Sequence, residues 1–198
     1  IRRSSVVLPM PDGPMIARMR YIARWGLMRN TQPENIQEHS HQVAVLAHAL
    51  AVIQNQYFGG NVDPGQVAVA ALYHDASEIL TGDLPTPIKY DNPDIQSAYQ
   101  QVEAVAVGKL LSMLPEELRP AYEEALTIPA PELRALVKAA DKLSAYLKCV
   151  EELKAGNLEF KKAREQTYAA LCRNPIPALS YFMEHFLDGF ELTLDELN

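Results

Sequence analysis

Helical periodicity, uninterrupted by any alternating segment, is the strongest constraint this chain places on its fold. No stretch shows sustained apolar/polar alternation flanked by hairpin turns. The breakers divide the helical pattern. A first helix is expected from Met15 to about Trp25, leading into a turn at Gly26 to Asn30. A second should run from about Asn35 to Gln56, ended by Gly59-Gly60. Asp63-Pro64 reads as an N-cap followed by proline at the first helical position, opening a helix that should continue to about Leu80 and stop at Thr81-Gly82. Asp83 to Pro93 contains three prolines and must be loop or short turns. Further helices are expected from about Ile95 to Met113, from Pro115 to Leu126, from Glu132 to Ala155, from Glu159 to Cys172, and from Pro175 or Pro177 to Phe186. The expectation is an all-α domain of about seven to nine helices over residues 15–198. Residues 1–14 are set aside as a flexible lead-in, a cloning scar or a natural extension.

Composition narrows the class of function. A formal net charge of −7 argues against a nucleic-acid polymer as partner, because such binders need a dominant basic face. An anionic small molecule is compatible with that charge, since a metal ion and one or two arginines reverse the potential locally. Cys149 and Cys172 form no CxxC pair and fit a reducing compartment. No apolar run reaches the roughly 20 residues that span a bilayer, and the short apolar stretch Val6 to Leu8 is no signal-peptide core. A cytoplasmic protein with no membrane partner is expected.

The chemistry concentrates in Tyr73-His74-Asp75-Ala76-Ser77-Glu78. In a continuous helix, Val67, Ala71, His74 and Glu78 would share one inward face, with Asp75 about 100° round the axis from His74. Burying an imidazole and two carboxylates within one turn is costly unless a partner compensates, and a divalent cation would do so. Two other helices offer matching groups. His39 heads the apolar stripe Val43, Leu46, Leu50, Ile53, and Asp141 lies among Leu136, Val137, Ala140 and Leu143.

The resulting order, His39, then His74-Asp75, then Asp141, resembles the HD-domain metal phosphohydrolases. Four longer blocks narrow the likeness: Arg24 to Asn30, Glu34 to Ser40, Tyr73 to Pro87, and Ala145 to Glu152. They resemble the bacterial 5′-deoxynucleotidases of the YfbR type from about residue 16 to the C-terminal segment. The resemblance implies an HD-domain helical bundle and one divalent transition metal ion held by His39, His74, Asp75 and Asp141. Two imidazoles and two carboxylates suit Mn, Co, Fe, Ni or Zn. It implies a deoxyribonucleoside 5′-monophosphate substrate contacted by Arg24, Trp25, His39, Asp75 and the loop residues Asp83, Leu84, Pro85 and Thr86. A homodimer is also implied.

Within that resemblance, Arg24 is expected to clamp the phosphate and take part in catalysis, and Glu78 to act as general acid/base on a metal-activated water. The position matching Trp25 crowds the 2′-hydroxyl region, and Asp83 is placed to accept from the sugar 3′-hydroxyl. The chain has no histidine between Asp75 and Asp141, which favours a mononuclear site. His41, His48 and His185 are read as structural, His48 as a buried hydrogen-bonded ring. The pairs Glu116-Glu117, Glu123-Glu124 and Glu151-Glu152 are read as solvated helix faces, and Tyr181, Phe182, Phe186 and Phe190 as core or subunit contact. The alternatives are an HD hydrolase of guanosine tetraphosphate or dNTPs, and a non-catalytic nucleotide-binding HD module.

Overall fold

The computed structural model describes residues 13–89 and 92–197, and almost all of the secondary structure within them is helical. Among the described residues, seven helices of nine residues or longer carry the fold, with one single-turn helix before them and two between them. In chain order these are α1 Gly13–Ile16, α2 Ile36–Phe58, α3 Pro64–Tyr73, α4 Glu78–Thr81, α5 Thr86–Lys89, α6 Pro93–Ser112, α7 Arg119–Thr127, α8 Pro131–Lys154, α9 Lys161–Cys172 and α10 Pro177–His185. Short 3-10 turns flank several of them. Residues 1–12, and with them most of the expected lead-in, lie outside the described residues.

Capping chemistry sets most boundaries where the sequence puts them. The Asn35 side chain accepts from the Glu38 amide to start α2, and Gly59 ends it at φ 68°. Asp63 accepts from the amides of Gly65 and Gln66 ahead of Pro64. Gly82 closes α4 at φ 73°.

Three expected helices are shorter: the one expected from Pro115 begins as α7 at Arg119, after a 3-10 turn over Glu116–Leu118, and the first and third expected helices stop early for local reasons. The first does not reach Trp25: after a 3-10 turn over Ala17–Tyr21 the chain extends, and Ala23 pairs antiparallel with Asn35. The Arg24 amide donates to the Glu34 carbonyl at 2.9 Å, and the Ile36 amide to the Ile22 carbonyl at 3.0 Å. This pairing closes the intervening loop into a flap beside the bundle. The third helix stops at Tyr73 instead of Leu80. The His74 ring donates from Nδ1 to the Ala71 carbonyl at 2.7 Å, taking the acceptor the Asp75 amide would use in a continuing helix. Residues 74–77 then form turns, with the amides of Ala76 and Glu78 bonded to the carbonyls of Tyr73 and Asp75, before α4 begins.

The core lies where α2 and α8 pack together, with α3, α9 and α10 around them. Val43, Leu46, Leu50 and Ile53 of α2 meet Val67 and Ala71 of α3, Leu136, Val137, Ala140, Leu143 and Leu147 of α8, and Leu179 and Phe182 of α10. A smaller cluster, Ala76, Leu110 and Leu126, seats the turn after α3 against α6 and α7. That turn, the start of α2 and the middle of α8 therefore share one end of the core.

Candidate active site

At that end, two helices and the turn after α3 deliver four ligand-type side chains to one spot. His39 is fully buried on the first turn of α2. Its Nε2 lies 3.1 Å from Asp141 Oδ1 on α8 and 3.6 Å from Asp75 Oδ2. His74 Nε2 lies 3.2 Å from the same Asp75 oxygen, and the two imidazole rings are 5.3 Å apart. Donor atoms of His39, His74 and Asp141 all fall within 4.8 Å of one another.

Both imidazoles are fixed in orientation. The Ser144 hydroxyl donates to Gln42 Oε1 at 2.7 Å, so it accepts from His39 Nδ1 at 3.1 Å. The Ala71 carbonyl can only accept, so His74 Nδ1 carries its proton. In the neutral rings, the Nε2 lone pairs therefore point into the cluster. Both Nε2 atoms are buried without a hydrogen-bond partner. Two orphaned lone pairs facing carboxylates fit a divalent cation, and His39, His74 and Asp141 are close enough together to hold one, with Asp75 beside both imidazoles.

The electrostatics agree. Although burial works against it, the charges of Asp75 and Asp141 raise the His74 pKa to about 9 when no cation is present. Despite burial, the two histidines pull the Asp141 carboxyl below the usual carboxylate range, and His74 and His39 do the same for Asp75. A cation takes the place of the proton that these carboxylates otherwise attract.

Glu78, on the first turn of α4, is 5% exposed, and its Oε2 has no partner. Burial and the charges of Asp75 and Asp83 push its carboxyl up to about 9, against the weaker pull of Lys89 and Arg24. Without a cation at the cluster it is therefore a neutral carboxyl.

A cleft of about 670 Å³ opens from Asp141. Arg24, Trp25, Asp83 and Pro85 line its inner part, and Lys142, Ala145, Ala163, Gln166 and Thr167 continue it along α8 and α9. Glu34 organises the flap. Its Oε2 accepts from Arg24 at 2.7 Å and from the Trp25 indole at 3.1 Å. Trp25 adopts φ 58°, the left-handed region disfavoured for a bulky residue, and its ring packs 5.3 Å from Phe160. Leu84 is half-buried in the same loop. Thr86 opens α5, and its side chain lies outside the described residues.

Two readings from the sequence need correction. Glu152 is no solvated helix-face charge: it is 1% exposed. It accepts from the Thr31 amide and hydroxyl, the Gln32 amide, Asn157 Nδ2 and the Lys148 ammonium. Lys148 also donates to the Gln32 carbonyl. The i,i+4 spacing of Lys148 and Glu152 on an amphipathic helix is the one sequence signal for the pair. His48 is exposed, not buried. Glu34 was overlooked as an anchor of Arg24, because its partner lies ten residues earlier across a loop.

The comparisons with known proteins point to one family. The family model described as 5′-deoxynucleotidase YfbR-like matches residues 14–190. The chain belongs to the YfbR-like family. One YfbR-like relative, a 5′-deoxynucleotidase of Shewanella oneidensis, is 50% identical over 185 residues, 92% of this chain and 95% of its own. Among solved structures, an HD-domain phosphohydrolase from Listeria innocua shares the fold at a TM-score of 0.78 and 21% identity, covering 89% of this chain and 86% of its own. The cyanophage S-2L HD phosphohydrolase DatZ, bound to dA and one catalytic Zn2+ ion, matches at a TM-score of 0.64 and 25% identity, over 94% of this chain and all of its own. The YfbR-like chain is thus a hydrolase built on an HD-domain bundle.

Proposed function

We infer that this chain hydrolyses deoxyribonucleoside 5′-monophosphates to the deoxyribonucleoside and phosphate. The observation that carries the reading is a pair of imidazoles, each fixed by a hydrogen bond at Nδ1 and without one at Nε2, facing Asp75 and Asp141 at the head of a cleft lined by Arg24 and Trp25. Zn2+, Mn2+, Co2+, Fe2+ or Ni2+ held by His39, His74, Asp75 and Asp141 would acidify water and neutralise phosphate charge.

The chain's own groups do the rest. Water adds to phosphorus as the P–O5′ bond breaks, and Glu78, a buried carboxyl whose Oε2 is uncommitted, gives a proton to the departing O5′ and recovers one from the attacking water. Arg24 keeps guanidinium donors free beyond the one bonded to Glu34, and these orient the phosphoryl oxygens. Asp83 accepts from the sugar 3′-hydroxyl, and Leu84, Pro85 and Thr86 complete the wall of the sugar site. Trp25, held by Glu34 and Phe160, leaves room for deoxyribose and crowds a 2′-hydroxyl. A homodimer follows from the family resemblance.

Phosphate release from paired 5′-ribo- and 5′-deoxyribonucleotides, with each candidate ion in turn, tests the reading. The deoxy substrates should be favoured by about tenfold to a hundredfold. Trp25→Gly, which removes the wall and suits the left-handed backbone, should narrow that ratio about tenfold by raising ribonucleotide turnover. An unchanged ratio would remove Trp25 from sugar selection, and no phosphate release with any ion would remove the activity.

A further inference from the structure

The cleft is short of net positive charge where a phosphate dianion must sit. Asp75 and Asp141 offset a divalent cation charge for charge, and Glu34 offsets Arg24 through the 2.7 Å ion pair. Arg24 thus contributes donors rather than surplus charge, while Asp83 adds a carboxylate to the same wall. Two lysines on the cleft wall, Lys142 and Lys162, have neither an ion pair nor a hydrogen bond among the described residues. Their neighbour Glu159 is engaged by Arg29 at 3.2 Å.

The two lysines are not equivalent. Lys142 directly follows Asp141 on α8, is half-buried, and shares the cleft with Ala145 on the same helix. Lys162 is exposed near the start of α9. Half-buried on the cleft wall and without a partner among the described residues, the Lys142 ammonium is available to an anion bound in the cleft. Exposed Lys162 contributes mainly a screened field.

We propose that Lys142 binds the phosphoryl group of the substrate, supplying the net positive charge that Arg24, paired with Glu34, does not. This rests on the reading of the cleft as a nucleoside monophosphate site. Lys142 then lowers KM and contributes further wherever negative charge builds on the phosphoryl oxygens during transfer.

Calorimetry of inorganic phosphate binding to the Mn2+-loaded protein tests the assignment, with metal content and melting temperature measured alongside. Lys142→Gln should weaken phosphate binding about tenfold to a hundredfold, as expected for a lost charge-assisted contact, with metal content and melting temperature unchanged. Lys142→Arg should recover most of the affinity, and Lys162→Gln should stay within about threefold of wild type. Wild-type affinity in Lys142→Gln overturns the proposal. So does an equal loss in Lys162→Gln, which would mean a diffuse field, and so does loss of metal from Lys142→Gln. A wild-type protein that binds phosphate through Lys142 but releases none from deoxyribonucleotides would refute the proposed activity and leave this assignment standing.

Discussion

Replacing Glu78 by glutamine is expected to cut kcat by about 10² to 10⁴ while leaving the metal content at the wild-type level. The size of the loss follows from what the side chain offers. It is buried, its Oε2 is partnerless, and it keeps a proton well above the ordinary carboxylate range. Glutamine preserves shape but cannot exchange that proton. A second readout needs no substrate. The folded, metal-free protein holds the Glu78 proton up to about pH 9, whereas the unfolded chain releases it near the ordinary value of 4.5. Between these values the folded state binds more protons, so the Glu78 contribution to stability is present at low pH and lost as pH rises through the window. Melting temperatures of the metal-free Glu78→Gln variant should therefore fall less than wild type between about pH 5 and pH 9. A variant that loses its metal and recovers turnover when metal is restored would make Glu78 a ligand instead of a proton carrier.

Glu152→Ala is expected to destabilise the fold by about 3 to 5 kcal/mol, because it leaves the buried Lys148 ammonium without its charge partner. For a chain of this length that corresponds to a drop in melting temperature of at least about 6 °C. The effect should extend beyond stability. Glu152 gathers the amides of Thr31 and Gln32 and the Asn157 side chain, fixing the base of the flap that carries Arg24 and Trp25. KM should therefore rise in the variant while metal content holds. Lys148→Met/Glu152→Leu, which removes both charges, should recover much of the melting temperature without restoring KM, since the amides of Thr31 and Gln32 still lack their acceptor. A single variant that melts like wild type would show that the pair bears no weight.

Much of the bundle was legible because its boundaries are local chemistry. Asn35, Gly59, Asp63-Pro64 and Gly82 act on their own neighbours, so sequence spacing suffices. The break at His74 was not legible, because it depends on which way an imidazole turns and which carbonyl it takes. The extended pairing of Ala23 with Asn35 was hidden for a related reason: neither segment alternates, and the contact exists only once the loop closes. His39 and Asp141 were visible as polar groups on apolar helix faces, and the structure brings both to His74 and Asp75. Glu34, Glu152 and Lys142 were less visible. A charged residue on a helix or loop looks solvated until its distant partner, or the absence of one, is seen in three dimensions.

The central claim is that His39, His74, Asp75 and Asp141 share one divalent ion. Anomalous diffraction from a Mn2+- or Zn2+-loaded crystal tests it most directly. A single peak within about 2.0 to 2.3 Å of both Nε2 atoms and of a carboxylate oxygen from each aspartate is the predicted result. A peak elsewhere in the chain, or a cluster still closed by a proton on His74 with no ion between the four side chains, would contradict it.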